Sequence, residues 1–412
     1  MKTLRLGIII LLAFSVLAFG TVEVWSEALL EAGAAVLLLW WAVLVFRHRE
    51  LEIHWDAVFW PLAAFLGLIA LQLAFGLTAY AFLTRVALLK ITACFILFFL
   101  ACQAFRDRRD LRVLAWFLMG FAFAVSVFGI VQNFTSHDVI YWTRHLTGGG
   151  SPFGPYVNRN DFAGLIEMLA PFGLSVMLFQ GVRREQLPFV GILTAVPIAA
   201  LVLTGSRGGI TSFAFEVVLL ILLMRLRGAR KPQALILASV LLLAIALVGW
   251  IGVSKVLDRF SSPSLSDISM DRRITMLRGT WQIFLDHPVL GSGLGTLVAV
   301  YPRHETYYDG RIVDHAHDDY AEALAETGIA GGLCGLAFFL LFFREARKKL
   351  AADQSSFSLA IHAAACTGCA AMIIHSVVDF NLHIPANGLT FLFLVAIAIS
   401  PVLPRRRPAP LA

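Results

Sequence analysis

Residues 233–253 read QALILASVLLLAIALVGWIGV, twenty-one positions without a charged side chain. A run of about 20 apolar residues is what an α-helix needs to cross a bilayer, where lipid offers no partner to an unsatisfied N–H or C=O. Eleven more apolar runs flank it. Together they give candidate spans at roughly 4–21, 26–46, 57–78, 81–104, 113–132, 162–180, 187–203, 208–224, 233–253, 320–343, 356–377 and 384–402. The hydrophobic set makes up 59% of the 412 residues and charged residues 15%, against about 45–50% and about 25% in soluble domains. Mean hydropathy is +0.79. A soluble globular protein is excluded, and the unbroken runs exclude a barrel, whose strands alternate over about ten residues. The expected fold is all-α: one integral membrane domain over 1–412, a polytopic bundle of about twelve transmembrane helices. The net charge of +6 sits in short clusters between spans, so it speaks for topology and not for nucleic acid.

Those clusters order the spans. Lys2 and Arg5; Arg47 and Arg49; Arg106, Arg108, Arg109 and Arg112; Arg183 and Arg184; Arg225, Arg227, Arg230 and Lys231; Arg344, Arg347, Lys348 and Lys349; and Arg405, Arg406 and Arg407 share one face if there are twelve spans. They are 21 of the 33 Lys and Arg residues, and positive-inside bias puts that face, with both termini, in the cytoplasm. The opposite face receives two long connections, 133–161 and 254–319, the second partly helical, and the short turn Thr204 to Gly209. Among the basic residues there, Lys255, Arg259 and Arg311 read as solubilising charge. The first run lacks a small-x-small cleavage site and reads as a retained span. Cys94, Cys102, Cys334, Cys366 and Cys369 all fall in spans, and the Cys366-x-x-Cys369 spacing reads as packing.

Four polar segments lie on the face of the long connections. Gly148 to Asp161 is rich in Gly, Pro and Asn; Asp161 is placed to cap the following helix, with Asn158 and Asn160 beside it, and the loop reads either as a plain turn or as the polar wall of a site. Thr204 to Gly209 sets Ser206 and Arg207 among three glycines where the next helix starts, an arrangement that suits a phosphate. Asp271-Arg272-Arg273 opens a short helix whose apolar Ile274, Leu277, Trp281 and Phe284 recur at helical spacing, to lie along the membrane surface or against the bundle. Asp314 to Asp319 holds two histidines and three carboxylates in six residues at the entrance to a span, a setting for a proton-transferring histidine. Two His at i,i+2 near Asp can suggest a metal, but the segment lacks a third ligand at a catalytic-zinc spacing. Further on, His375 and Asp379 read as part of the same polar cup or as partners in helix–helix hydrogen bonding.

Taken in this order, the segments resemble the O-antigen ligase family, which includes lipid A core–O-antigen ligases and related bacterial polysaccharide polymerases. Phe153 to Asn160 is similar to the family's Phe-x-Asn-x-Asn loop and Gly205 to Gly209 to its Ser-Arg-Gly turn. Arg272 or Arg273 is similar to the arginine ahead of its Pro-x-x-Gly-x-Gly-x-Gly stretch, here Pro288 to Gly295. His317 falls at the family's essential histidine, followed by Asp318 where Asn is usual, while Asp319, Tyr320 and Glu326-x-Gly328 keep the pattern. The resemblance is strongest from Phe153 to Gly331, within a core of about 150–331.

What the resemblance implies is an enzyme of the bacterial inner membrane with its active site facing the periplasm. It would move a glycan from undecaprenyl diphosphate to an acceptor hydroxyl on lipid A core or another glycan, by metal-independent inversion at the anomeric carbon and with no cofactor. The resemblance gives catalytic roles to His317, Arg207 and Arg273. It gives diphosphate or glycan binding to Arg272, Asn158, Arg159, Asn160, Ser206, Arg278, His315, Asp318, Asp319, Tyr320 and Asp379. Expected partners are the carrier-linked donor, the acceptor and membrane lipids, with a monomer sufficient and no nucleic acid. A polymerase lengthening glycans on the same carrier is the competing branch. A polysaccharide-lipid transporter is the competing class, disfavoured by one-sided polar clustering and by the lack of evident inverted repeats.

Overall fold

The computed structural model describes residues 1–47, 53–136, 139–146, 150–227, 231–261, 270–306, 308, 310–352 and 355–401, with backbone alone at 231–232, 253–261 and 270. Arg49, Gly148, Gly149, Arg230, Arg405, Arg406 and Arg407 lie outside the described residues, as do the side chains of Lys231, Lys255 and Arg259.

Fourteen α-helices and no strand occur among the described residues. The first seven are α1 (Lys2–Leu17), α2 (Val24–Arg47), α3 (Phe59–Ala74), α4 (Ala81–Ala104), α5 (Arg108–Thr135), α6 (Arg159–Leu178) and α7 (Leu187–Thr204). The rest are α8 (Arg207–Leu226), α9 (Lys231–Ser261), α10 (Met270–Asp286), α11 (Leu297–Val300), α12 (Asp319–Ala352), α13 (Ser356–His375) and α14 (Pro385–Ile399). Each expected span falls on a helix, and α10 and α11 lie in the second long connection. The fold is a polytopic helical membrane bundle. Nine of the described helices are long and apolar enough to cross a membrane; a count of twelve requires α1, α3 and α14, with 15 or 16 residues each, to cross as well.

Two boundaries differ from the expected ones because hydropathy marks where apolar side chains stop, not where helix stops. α9 stays helical to Ser261 across a kink at Gly252, so the second connection begins later than 254. α12 runs on to Ala352, its polar end laced by Glu345 to Arg344 and Lys348.

α6 is the buried axis of the bundle, packed between α13, α7 and α8. Small residues let its neighbours approach: a Cβ at Gly368 on α13 would lie 2.7 Å from the Met168 carbonyl, and one at Gly173 would meet the Thr194 hydroxyl on α7. The basic ends gather at one end of the bundle, where Arg5 pairs with Asp110 at 2.6 Å, Arg112 lies over the Phe357 ring and Arg227 donates to the Leu350 carbonyl. The starts of α6, α8 and α12 and the end of α13 meet at the other.

α10 does not bury the stripe of Ile274, Leu277 and Trp281 against the bundle. Its bundle-facing side is Met276, Thr280 and Ile283, whereas Ile274, Leu277 and Trp281 stay exposed. A helix with apolar residues on both sides buries whichever side its neighbour fits, leaving the expected stripe on the open side. Below it, α12 breaks at Gly328, whose φ of 64° and ψ of −167° suit only glycine. The loop 288–297 fills the break: Ser292 and Gly293 N–H donate to Ala325 and Glu326 carbonyls, both at 2.9 Å, and Ile329 and Ala330 N–H donate to Pro288 and Val289 carbonyls. The Glu326 carboxylate accepts from Gly295 N–H at 2.7 Å and Leu297 N–H at 2.8 Å.

Candidate active site

Five chain segments converge where α6, α8 and α12 begin. Asn158 caps α6, its side-chain oxygen accepting from Asn160 N–H at 3.0 Å. Asp161 is therefore not the cap that its position suggested: it lies inside the first turn and is buried. α12 is tied to the end of α13 by Asp319 N–H donating to the Ser376 carbonyl at 2.9 Å. α8 closes the group. A Cβ on Gly208 would lie 2.6 Å from His375 Nε2 and 3.1 Å from Val378, so only glycine lets this helix start come so near α13.

His317 and Asp379 form the centre. His317 has φ +55°, a left-handed conformation that costs a non-glycine residue on the order of 1 kcal/mol. Its Nδ1 lies 3.0 Å from Asp379 Oδ1. The same carboxylate accepts from Asn160 Nδ2 at 2.6 Å and from Phe380 N–H at 3.0 Å, while Arg273 approaches at 3.9 Å and donates to the Val378 carbonyl. Burial opposes the Asp379 charge, but the His317 hydrogen bond and the charges of His317, Arg273 and His375 hold its carboxyl below the usual range. An ionised carboxylate only accepts, so the proton of a neutral His317 sits on Nδ1 and the lone pair on Nε2. Nε2 has no hydrogen-bond partner among the described residues.

A second polar layer adjoins the first across Phe380, whose ring stacks on His315 at 4.4 Å and meets His317 edge-on at 4.8 Å. Glu322 Oε1 lies 2.8 Å from His315 Nδ1 and 3.4 Å from His383 Nε2, and His383 Nδ1 lies 2.5 Å from Asp319 Oδ1. Burial would lower the His383 pKa, but Glu322 and Asp319 drive it up to about 10. These are the described residues whose donor atoms gather as a cation would require. Deeper in the bundle, His375 Nδ1 pairs with Glu167 at 3.0 Å, both side chains fully buried.

Residues 192–336 match the family model described as O-Antigen ligase. The match supports an O-antigen ligase family protein. The resemblance drawn from the motifs is thereby borne out, and with it a ligase- or polymerase-type membrane glycosyltransferase in general terms. A comparison with curated proteins gives no match. The family segment holds the α8 turn, α10 and His317, while Asn160 and Asp379 come from outside it.

The family motifs separate into residues at the centre and residues that shape it. Arg273 is the arginine at the centre; Arg272 turns away to Glu305 at 3.1 Å, since adjacent helix positions point about 100° apart. Arg207 is the first residue of α8, behind a left-handed Gly205. Ser206 caps that helix, accepting from Gly209 N–H at 3.2 Å. Arg159 is largely buried and donates its N–H to the Ser151 carbonyl.

Asp318 caps α12, accepting from Tyr320 and Ala321 N–H at 3.0 and 2.9 Å. That accounts for Asp in place of Asn, since either side chain offers the oxygen a cap needs. Burial raises the Asp318 pKa against the pull of those two N–H groups. The Tyr320 hydroxyl donates to the Ile373 carbonyl at 2.6 Å. Arg278, Asp318 and Tyr320 line a cleft with Leu277, Trp281 and Gln282. Sequence reasoning assigned no role to Glu167, Glu322 or His383. A carboxylate inside an apolar helix was the one available signal for Glu167.

Proposed function

We propose that the chain transfers a glycan from undecaprenyl diphosphate to an acceptor hydroxyl, on lipid A core or another glycan, at the periplasmic end of the bundle. The observation that carries this reading is His317: a strained histidine, oriented through Nδ1 by a buried carboxylate, with Nε2 open. Nε2 takes the proton of the acceptor hydroxyl as its oxygen bonds to the anomeric carbon from the side opposite the diphosphate. The carbon–oxygen bond to the diphosphate breaks, and the leaving group departs with the electron pair. Arg273 and Arg207, at the starts of α10 and α8, neutralise it, the second beside a helix N-terminus whose dipole favours an anion. Inversion at carbon follows from one displacement. The cleft of Trp281, Gln282 and Arg278 beside Asp318 suits the acceptor sugar: an exposed indole face with hydrogen-bonding groups at its edge.

The test is reconstitution in nanodiscs with an undecaprenyl-diphosphate-linked glycan and lipid A core, with products resolved by mass. A lipid A–glycan conjugate, absent with His317→Ala, is the expected result. Carrier-linked glycans lengthened by whole repeats identify the polymerase branch. With verified substrates, the absence of any covalent product rejects glycan transfer in favour of transport.

A further inference from the structure

The sequence argument against a metal was one of spacing: His315 and His317 lack a third ligand nearby. The fold supplies that ligand from elsewhere, and it is not His317 that shares the cluster. His315, Glu322 and His383 bring one donor atom each to within 4.8 Å of one another, although His383 lies more than sixty residues along the chain. Glu322 Oε1 stands between the two rings, 2.8 Å from His315 Nδ1 and 3.4 Å from His383 Nε2. A tetrahedral ion with bonds near 2.1 Å separates its ligand atoms by about 3.4 Å. Small side-chain rotations therefore bring all three onto one centre.

Three further features fit an ion. Asp319 Oδ1 lies 2.5 Å from His383 Nδ1, the carboxylate–histidine support that fixes a metal-binding ring with its other nitrogen forward. The second Glu322 oxygen is held by Ala316 N–H at 2.8 Å, leaving Oε1 for the cluster. Charge agrees as well: a divalent ion with two neutral imidazoles cancels Asp319 and Glu322, whose side chains are 4% and 2% exposed.

We propose that His315, Glu322 and His383 form a site for one divalent transition-metal ion of the zinc class. Two imidazoles and a carboxylate suit zinc better than magnesium or calcium, which take oxygen ligands. Water takes the fourth position, reached through the half-buried histidines. The ion fastens the loop carrying His317 to α12 and to the turn at 381–383. It takes no part in the transfer described above, so the site stands or falls independently of that reaction.

The test uses tag-free protein purified in detergent without chelator. Elemental analysis is expected to find close to one zinc-class ion per chain. After dialysis against chelator, added Co2+ should give the visible ligand-field bands of a tetrahedral centre, saturating near one equivalent. The apparent melting temperature should fall on chelation and recover with Zn2+. In His315→Gln/His383→Gln all three responses should vanish. Should that variant not fold, His315→Gln alone, at the more exposed ligand, is expected to weaken Co2+ binding by at least about tenfold. Folded wild-type protein with neither bound metal nor Co2+ bands overturns the proposal, as do bands of equal strength in the variants.

Discussion

Two buried carboxylates at the same end of the bundle are used in opposite ways. Glu326 accepts from Gly295 and Leu297 N–H, in a dock where the loop 288–297 and the broken α12 match each other's backbone groups. Asp379 instead accepts from the side chains of Asn160 and His317 and faces Arg273. In the first region polar atoms close on each other, as buried backbone must. In the second they hold a histidine whose other nitrogen has no partner among the described residues. The contrast separates polar groups that build from polar groups that act: the sign of function is the open valence, not the burial of charge.

The comparison breaks most sharply at His317. His317→Ala is expected to lower the transfer rate by about 10³-fold, within the range for a general base, while the protein keeps its melting temperature; single-turnover product yield reads the first and thermal unfolding the second. Asp379→Asn comes next, by about 10²-fold, because the amide can donate to Nδ1 and so select the wrong tautomer. The same rate assay checks it, and an unchanged rate would place Asp379 with the building groups. Arg273→Lys is expected to lose about tenfold and Arg272→Lys little, since the proposed reaction calls for a guanidinium fork on the diphosphate at the first position alone; parallel rate measurements compare them. Glu326→Gln sharpens the other side. It should cost about 2 kcal/mol of stability, because the amide offers one acceptor oxygen to two buried backbone N–H groups, seen as a lower melting temperature with activity per folded molecule retained. Asp318→Asn closes the series with an effect under about 0.5 kcal/mol on thermal unfolding, because both residues cap a helix.

What could be read beforehand was what depends on local pattern. Apolar run length foretold the helices, because lipid leaves a chain few other ways to satisfy its backbone. His317 stood out because two histidines and three carboxylates in six residues at the mouth of a span need a reason. What depends on packing stayed hidden. Whether Arg272 or Arg273 faces Asp379 turns on how α10 is rotated, and its rotation is set by Met276, Thr280 and Ile283 against α12 rather than by the stripe that looked most apolar. The pairings of Glu167 with His375 and of Glu322 with His383 join distant segments, for which no periodicity gives notice. Asp161 was placed to cap α6, but Asn158 does so; the close fit of Asn160 to Asp379 accompanies the earlier start.

The break at Gly328 separates two kinds of continuity. Covalently α12 is one chain from the cap at Asp318 to Ala352, but its backbone leaves helical geometry at residue 328. The splice is the loop 288–297, bonded to Ala325 and Glu326 above and to Ile329 and Ala330 below. The turn of helix behind His317 is thus joined to the rest of α12 by these backbone contacts as well as by the chain itself. In the transfer proposed above, where a sugar carbon lies in line between a base and a departing diphosphate, that turn would be mounted on its own bearing.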